Sequence, residues 1–318
     1  MDLDDQSLDD QRQSVAFLGP PGTFSEEALL SQPDLATAQL QPMRSFPEIL
    51  AAVSSGDVDV GLVALENSIE GTVRLVIDGL VFEHDLLIQR EVVLSVRQNL
   101  VGPAGTDLDQ VRRVVSIPEA LGQCQRFFAS RLPGVELVAS NSTAEAVQAV
   151  ALDRVPGTVA LGSALAAKLY DLEVVATGID DHPENATRFV AVARSGVPAP
   201  TGHDKTSIVC FQDDDHPGSL HGILGQFTAR NINLTRLESR PTKASLGNYC
   251  FIIDLEGHID DEVVADSLRD LRAQLTNVKF LGSYPTAGDD GPTIRRDAEA
   301  AWRAADEWVA SLRSQVRR

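Results

Sequence analysis

The chain has 318 residues, of which 43% are hydrophobic, and its formal net charge at pH 7 is −19. This composition is that of a protein with packed cores rather than a disordered chain, and the length predicts two or three domains. The negative charge argues against nucleic acid or an anionic membrane as a partner, because phosphate groups require basic surfaces. No apolar run of the sequence approaches the ~20 residues needed to span a bilayer.

The N-terminal segment, residues 1–13, is acidic and polar. It lacks the basic and apolar regions of a signal peptide, so we predict a disordered tail on a cytoplasmic protein. Residues 14–19 are typical of a short buried strand, and a Gly-Pro turn follows them. The run Thr23-Phe24-Ser25-Glu26 then predicts a capping box that opens a helix.

Strands and helices alternate from this point to residue 193. We predict strands over residues 58–65, 92–96, 113–117, 135–139, 158–161, 174–176 and 189–193. We predict helices over residues 46–55, 118–131, 141–150 and 164–170. Alternation of this kind is typical of α/β units with largely parallel sheets.

The pattern changes after a segment rich in Gly, Pro and Ala, residues 196–204, which we predict to be a linker. The elements beyond it predict the order βαββαβ, the ferredoxin-like arrangement. A C-terminal helix follows residue 285, with apolar residues at helical spacing. We expect this amphipathic helix to dock on its own protein rather than on a partner, since amphipathic surface helices are common.

The three cysteines, Cys124, Cys210 and Cys250, have neither paired spacing nor neighbouring histidines. Each lies in an apolar context, so we predict buried free thiols. The sequence also lacks a nucleotide-binding glycine loop. We therefore predict no metal site and no cofactor.

Four polar clusters lie where strands meet loops. They are Thr23 with Ser25, Asn67 with Ser68, Ser142 with Thr143, and Thr187 with Arg188. Ligands of open α/β sheets bind at the carboxyl ends of strands, and a helix N-terminus there attracts a carboxylate. The alternatives are helix capping by the Ser and Thr residues, turn stabilisation at Asn67, and an ordinary surface arginine at Arg188.

Taken together, the clusters indicate a pocket with many hydrogen-bond donors and one arginine, whose planar fork matches a carboxylate. They include no obvious base, nucleophile or metal ligand set. Such a pocket suits a reaction with a strong internal driving force, in which a carboxylate is held and a leaving oxygen is helped away. Elimination from an organic acid fits this description.

The sequence resembles the prephenate dehydratase family. The motifs that carry the resemblance are Phe17-Leu18-Gly19-Pro20-Pro21-Gly22-Thr23-Phe24-Ser25, Glu66-Asn67-Ser68-Ile69-Glu70-Gly71-Thr72, Ser142-Thr143-Ala144 and Thr187-Arg188-Phe189. The segments Pro217-Gly218-Ser219-Leu220, Asn233-Leu234-Thr235-Arg236-Leu237-Glu238-Ser239-Arg240-Pro241 and Leu281-Gly282-Ser283-Tyr284-Pro285 resemble the family's ACT regulatory domain.

The resemblance implies an α/β fold with a two-lobed catalytic domain, like type II periplasmic-binding proteins, and a ferredoxin-like βαββαβ ACT domain. We expect the catalytic domain over residues 14–195, with one lobe of roughly 14–90 and 180–195 and the other of 91–179. The ACT domain is expected over residues 205–286, followed by a tail over 287–318.

The implied reaction converts prephenate to phenylpyruvate, water and carbon dioxide in phenylalanine biosynthesis. Loss of carboxylate and hydroxide makes the ring aromatic, so orientation and stabilisation of the departing oxygen are what the enzyme must supply. The resemblance suggests that Thr187 donates a hydrogen bond to the leaving hydroxyl, while Arg188 either clamps a carboxylate or fixes its loop. The expected substrate-binding residues are Thr23, Ser25, Glu66, Asn67, Ser68, Ser142, Thr143, Arg188 and Phe189.

For the ACT part, the resemblance implies L-phenylalanine as a feedback inhibitor and a homodimer or homotetramer formed through ACT domains. The expected effector-binding or signalling residues are Gly218, Ser219, Leu220, Asn233, Leu234, Glu238, Ser239, Arg240 and Pro241. Ser219 stands where the family usually has alanine. Two other functions share these features: an arogenate dehydratase, and an amino-acid sensor without catalysis.

Overall fold

The computed structural model describes residues 13–212, 216–243, 248–287 and 293–315, and the side chains of residues 293–302 and 306 are not described. Apart from Gln13, the predicted disordered tail lies outside these residues. The described chain divides into two compact units, one of residues 13–84 and 92–194 and one of residues 85–91 and 195–315. Within the described parts, no helix is both long and apolar enough to cross a membrane.

The first unit is an alternating α/β domain. Its strands are β1 (Ser14–Leu18), β2 (Gln39–Met43), β3 (Val60–Asn67), β4 (Gly71–Thr72), β5 (Leu87–Ser95), β6 (Asn99–Gly102), β7 (Arg113–Ser116), β8 (Glu136–Ala139), β9 (Thr158–Gly162), β10 (Glu173–Ala176) and β11 (Ala186–Ala193). Its α-helices are α1 (Phe24–Leu30), α2 (Phe46–Ser55), α3 (Arg74–Asp78), α4 (Pro118–Gly122), α5 (Gln125–Arg131), α6 (Thr143–Asp153) and α7 (Ala164–Leu169).

These strands form two sheets, which define two lobes. Lobe one has the order β2-β1-β3-β11-β5, with β4 paired to β3, and lobe two has the order β10-β6-β9-β7-β8. Strands β1 and β3 are apolar along most of their length because helices cover both faces of the sheet. The two-lobed α/β prediction is confirmed.

Strands β2, β4 and β6 of this unit were not predicted, and one predicted helix is divided in two. Strand β2 was not predicted because it carries polar residues and Pro42; it pairs in parallel with β1 at the edge of the sheet, where proline is tolerated. The helix predicted over residues 118–131 is wrong as a single element, since it is interrupted between α4 and α5 at Gln123 and Cys124.

The second unit has the predicted βαββαβ order. Its elements are β12 (Asp204–Phe211), α8 (Ser219–Thr228), β13 (Leu234–Pro241), β14 (Tyr249–Glu256), α9 (Glu262–Gln274) and β15 (Asn277–Pro285). The strands form an antiparallel sheet in the order β13-β14-β12-β15. Its core joins the sheet to both helices through Ile208, Ile223, Phe227, Ile253 and Leu271, all of them buried.

Residues 85–91, of which we predicted 85–90 in lobe one and 91 in lobe two, cluster with the second unit. Lys205 Nζ lies 2.7 Å from Glu91 Oε2, and Lys279 Nζ lies 3.0 Å from Asp85 Oδ1. This segment includes the start of β5. Its two acidic side chains provide ion-pair partners for Lys205 and Lys279 of the second unit.

The C-terminal helix α10 (Thr293–Ser314) contacts α9. We expected its apolar stripe to dock on the chain itself. Trp308 is 63% exposed and Leu312 is 43% exposed, so at these two positions the expectation is wrong.

Candidate active site

The candidate catalytic residues of lobe one lie at one edge of its sheet. Strands β1 and β3 run parallel, so the segments that follow them leave the same edge. Strand β11 runs antiparallel to β3, and Thr187 at its start pairs with Asn67 at the end of β3. This topology accounts for the approach of residues that are far apart in sequence.

Asn67 is the centre of the contacts at this edge. Its Nδ2 donates to Thr187 Oγ1 at 2.9 Å and to Asn185 Oδ1 at 2.8 Å. Its Oδ1 accepts from the backbone N–H groups of Ile69 and Glu70 at 2.9 and 3.0 Å. The two backbone donors therefore fix which end of the Asn67 carboxamide faces Thr187.

Ser68 and Thr23 have structural partners. The Ser68 hydroxyl accepts from the Ala186 N–H at 3.0 Å and so holds the start of β11. Thr23 caps α1: its Oγ1 accepts from the Glu26 N–H at 3.3 Å and donates to Leu18 O at 2.7 Å. The Thr23 proton is therefore already in use, and any attraction for an anion here comes from the first turn of α1, where Ser25 is buried.

The corresponding edge of lobe two carries Ser142 and Thr143. Strands β7, β8 and β9 are parallel, so the loops that follow them leave the same edge. Ser142 caps α6 by accepting from the Glu145 N–H at 3.0 Å, as predicted, and Thr143 is buried in the first turn. This N-terminus directs free backbone N–H groups away from the sheet.

The predicted capping box at Thr23 and the corresponding Ser142–Glu145 pair at the start of α6 both differ from the standard capping box in the same way. The glutamate that should accept from the cap residue's own N–H accepts elsewhere, from the Gly22 N–H in the first case and from Asn141 Nδ2 in the second. The capping threonine and serine keep their expected bonds.

Two contacts join the edges of the lobes. Ser163 Oγ, in the turn after β9, donates to Gly22 O at 2.8 Å, and Tyr170 Oη donates to Pro21 O at 3.0 Å. Ser163 also caps α7 and is 1% exposed. Neither residue was selected from the sequence, although Ser163 follows a predicted strand, as do three of the four selected clusters.

Arg188 and Glu66 form an ion pair, with 3.2 Å between Arg188 Nη1 and Glu66 Oε1. The Arg188 side chain is 8% exposed and that of Glu66 36% exposed. Successive side chains of a strand point to opposite faces, so Arg188 and Glu66 lie on the face opposite Thr187 and Asn67. This geometry favours the loop-fixing alternative for Arg188.

Phe189 was expected to contact the substrate. Its ring is 2% exposed and packs in the core of lobe one with residues such as Phe17 and Leu62. Core packing accounts for Phe189, and we leave it out of the proposed site.

Asn185 contacts the candidate residue Asn67, and Gln123 contacts Asn185, but neither was selected from the sequence. Gln123 Nε2 donates to Glu70 Oε1 at 3.0 Å, and Asn185 Nδ2 donates to Gln123 Oε1 at 3.2 Å. Gln123 ends α4 immediately after Gly122, which is the only local signal that the predicted helix stops there. An open groove of about 410 Å³ adjoins these side chains, lined by Ile69, Glu70, Pro118, Glu119, Gly122, Gln123 and His182.

The cysteines are buried free thiols, as predicted. Burial, with the nearby charges of Asp180 and Asp181, raises the pKa of Cys124 to about 12. Burial, with neighbouring Cys250, raises the pKa of Cys210 to about 12. Cys124 and Cys210 therefore stay protonated at neutral pH and are poor nucleophiles.

The second unit has a cavity of about 340 Å³ at the N-terminus of α8. Gly218 and Ser219 line it at the helix start, and Ile223, Leu271 and Leu275 supply apolar surface. Gly218 has φ = 93°, a left-handed conformation that favours glycine. The cavity therefore combines a helix N-terminus with an apolar wall.

The other predicted effector residues have different surroundings. Leu220 and the β13 residues do not line the cavity. Asn233 Nδ2 donates to Glu256 Oε1 at 2.9 Å, and Glu238 Oε2 lies 2.7 Å from Arg236 Nη2. Leu234 packs against the core, and Glu238, Ser239, Arg240 and Pro241 lie on β13, an edge strand of the sheet.

Comparison with known families gives two matches along the chain. The family model described as prephenate dehydratase matches residues 15–196, and that described as ACT domain matches residues 206–273. A protein of Mycobacterium leprae (strain Br4923) named prephenate dehydratase is 40% identical over 309 residues, which cover 94% of each chain.

Solved structures match this chain over most of its length. The structure of prephenate dehydratase from Arthrobacter aurescens in complex with L-Phe has a TM-score of 0.87 and 37% identity, covering 95% of this chain and 99% of that one. A structure described as GqqA, a novel type of quorum quenching acylases, has a TM-score of 0.78 and 30% identity, covering 86% of this chain and 98% of that one.

Proposed function

This chain belongs to the prephenate dehydratase family, and from that premise we propose how its residues carry out and regulate the reaction. The enzyme converts prephenate to phenylpyruvate, water and carbon dioxide. The ring gains aromaticity as the carboxylate and hydroxide leave, so the carbon–carbon and carbon–oxygen bonds break without a covalent intermediate on the protein. The protein orients the substrate and stabilises the oxygen that departs.

Thr187 is the proposed donor to the leaving hydroxyl. The single observation that carries this role is its contact with Asn67, whose Nδ2 donates to Thr187 Oγ1 at 2.9 Å. An oxygen that accepts from an amide has its own O–H free to donate elsewhere. A threonine hydroxyl is a weak acid, so Thr187 acts as a hydrogen-bond donor rather than as the final source of a proton.

The carboxylates of prephenate would be held by the helix N-termini at the two sheet edges. The N-termini of α6, capped by Ser142, and α1, capped by Thr23, each offer backbone N–H groups and a partial positive charge. Arg188 supports the site by holding Glu66 rather than by binding the substrate. Its ion pair at 3.2 Å supports this assignment.

L-phenylalanine is the proposed effector, with the cavity at the start of α8 as its site. The amino acid's carboxylate would meet the N–H groups at Gly218 and Ser219, and its ring would contact Ile223, Leu271 and Leu275. The relative of known structure in complex with L-Phe supports L-phenylalanine as the effector. We further propose that ACT domains join copies of the chain into a homodimer or homotetramer, which the exposed edge strand β13 would permit.

One assay tests the proposal and separates it from its rivals. Purified protein is given prephenate or arogenate, and phenylpyruvate or phenylalanine formation is followed with and without added L-phenylalanine. We expect phenylpyruvate from prephenate, little product from arogenate, and inhibition by L-phenylalanine. Faster turnover of arogenate would indicate an arogenate dehydratase, and phenylalanine binding without turnover would indicate a sensor.

A further inference from the structure

Asn185 is a buried carboxamide between the two lobes, in the turn that precedes β11. It is 2% exposed. Its Oδ1 accepts from Asn67 Nδ2 of lobe one at 2.8 Å, and its Nδ2 donates to Gln123 Oε1 of lobe two at 3.2 Å. Its backbone is held as well, since Asn185 N–H donates to His182 O at 3.0 Å.

The direction of the Asn185 carboxamide is fixed from both sides. Gln123 donates through Nε2 to the Glu70 carboxylate, which as an anion only accepts, so the Gln123 oxygen must face Asn185. On the other side, the backbone N–H groups of Ile69 and Glu70 hold the Asn67 oxygen, so the Asn67 amino group must face Asn185. If the Asn185 carboxamide were flipped, its amino group would face the amino group of Asn67 and its oxygen would face the oxygen of Gln123.

The directions of these hydrogen bonds also determine whether the Thr187 hydroxyl donates or accepts. The Asn67 amino group, held between Asn185 Oδ1 and Thr187 Oγ1, donates to both. Thr187 Oγ1 is therefore an acceptor toward Asn67, and its proton points toward other groups. The contact to Asn185 keeps the amino group in the position where it can do this.

We propose that Asn185 is a positioning residue for the dehydration: it holds the Asn67 amino group in place beside Thr187, and so keeps the Thr187 hydroxyl turned to donate to the leaving oxygen. Through Gln123 it ties this arrangement to lobe two. The proposal rests on the proposed role of Thr187 and adds a residue that does not touch the substrate.

The test is a double-mutant cycle of Asn185→Ala and Thr187→Val, read as kcat and KM for prephenate. We expect Asn185→Ala alone to lower kcat by about 10-fold, since one directed hydrogen bond is lost, with KM within about twofold of wild type. In the Thr187→Val background, adding Asn185→Ala should lower kcat by less than about twofold, because a residue that acts through Thr187 has nothing left to orient.

Asn99 supplies a matched control. It is also a buried asparagine of the first unit, and its carboxamide joins backbone groups, accepting from Gly178 N–H and donating to Gly162 O, both within lobe two. Asn99→Ala should lower thermal stability and leave kcat within about twofold of wild type. If Asn185→Ala does not fold, Asn185→Ser replaces it, because a short hydroxyl fills part of the site without reaching both carboxamides.

The outcomes separate the two proposals. If Thr187→Val keeps its kcat, the proposed role of Thr187 is wrong and the role of Asn185 falls with it. If Thr187→Val loses kcat but the loss from Asn185→Ala multiplies with it, Asn185 is merely structural. An effect of Asn185→Ala on KM alone, or no effect on kcat, also overturns the inference.

Discussion

Replacing Thr187 by valine removes one oxygen atom and keeps the branched shape of the side chain. The Nδ2 group of Asn67 has two hydrogens and three neighbouring acceptors, namely Thr187 Oγ1 at 2.9 Å, Asn185 Oδ1 at 2.8 Å and Ala186 O at 3.3 Å. Two acceptors remain in the variant, so no donor of Asn67 is left without a partner. We therefore expect the free energy of unfolding to fall by no more than about 1 kcal/mol.

The effect on catalysis should be much larger than the effect on stability. Loss of one donor to an oxygen that gains negative charge in the transition state lowers kcat by about 10² to 10³. The KM for prephenate should change less than about threefold, because the carboxylates are held by other groups. Initial rates of phenylpyruvate formation over a range of prephenate concentrations measure both constants.

Thr206→Val is the matched control for this variant. Thr206 is a fully buried strand threonine of the second unit, and its Oγ1 donates to Gly257 O. This substitution should lower the melting temperature more than Thr187→Val does and leave kcat unchanged. The reasoning is refuted if Thr187→Val keeps more than about a third of the wild-type kcat, or if its loss of activity follows its loss of stability.

Three other predictions follow from the contacts described. Arg188→Gln should lower the melting temperature by a few degrees, because it removes the buried guanidinium's ion pair with Glu66, and the KM for prephenate should rise less than about threefold. A rise in KM above about tenfold would instead indicate that Arg188 clamps a substrate carboxylate. Burial raises the pKa of Glu27 in the folded state, so its charge destabilises the fold at pH values above the unfolded pKa of the carboxyl group. Glu27→Gln should therefore raise the melting temperature by about 1 to 3 °C at pH 7 and lose this gain below about pH 4. An equal gain at both pH values would contradict this prediction. Gly218→Ala places a side chain at a left-handed backbone position and so strains the start of α8. It should raise the L-phenylalanine concentration for half inhibition by about fivefold or more and leave the uninhibited kcat unchanged. Unaltered inhibition would argue against the cavity as the effector site.

Much of the fold could be predicted from local patterns. Runs such as residues 60–65 are apolar enough to require burial on both faces of a sheet, and the Ser and Thr residues at helix starts have a direct physical signal. Strand β2 could not be predicted in the same way. It is an edge strand with polar residues, and its pairing with β1 depends on tertiary context.

The candidate site was only partly predictable. Thr187 and Asn67 were selected, but they are 120 residues apart in the sequence. Their direct contact depends on the antiparallel register of β11 and β3. Gln123 lay within a predicted helix, and Asn185 had no local pattern that distinguished it from a turn residue. The ion pair of Arg188 with Glu66 also depends on this register, so the sequence left the role of Arg188 open.

The unit to which residues 85–91 belong could not be predicted from the sequence either. Their sequence continues the alternation of the first unit, and we predicted them as part of the catalytic domain. The Lys205 and Lys279 side chains bind Glu91 and Asp85 from sequence positions more than 100 residues away. Ion pairs between residues so far apart produce no periodic pattern in the sequence, so these contacts could not be predicted from it.

The most direct test of the account is the structure of the Thr187→Val enzyme with prephenate bound, because loss of turnover would preserve the substrate. The account predicts that the ring hydroxyl lies within about 4 Å of the Cγ atom that replaces Oγ1, close to a hydrogen-bond distance for the native oxygen. It also predicts that a substrate carboxylate lies at the N-terminus of α6 or α1. A ring hydroxyl directed away from position 187, toward another donor, would contradict the central role given to Thr187.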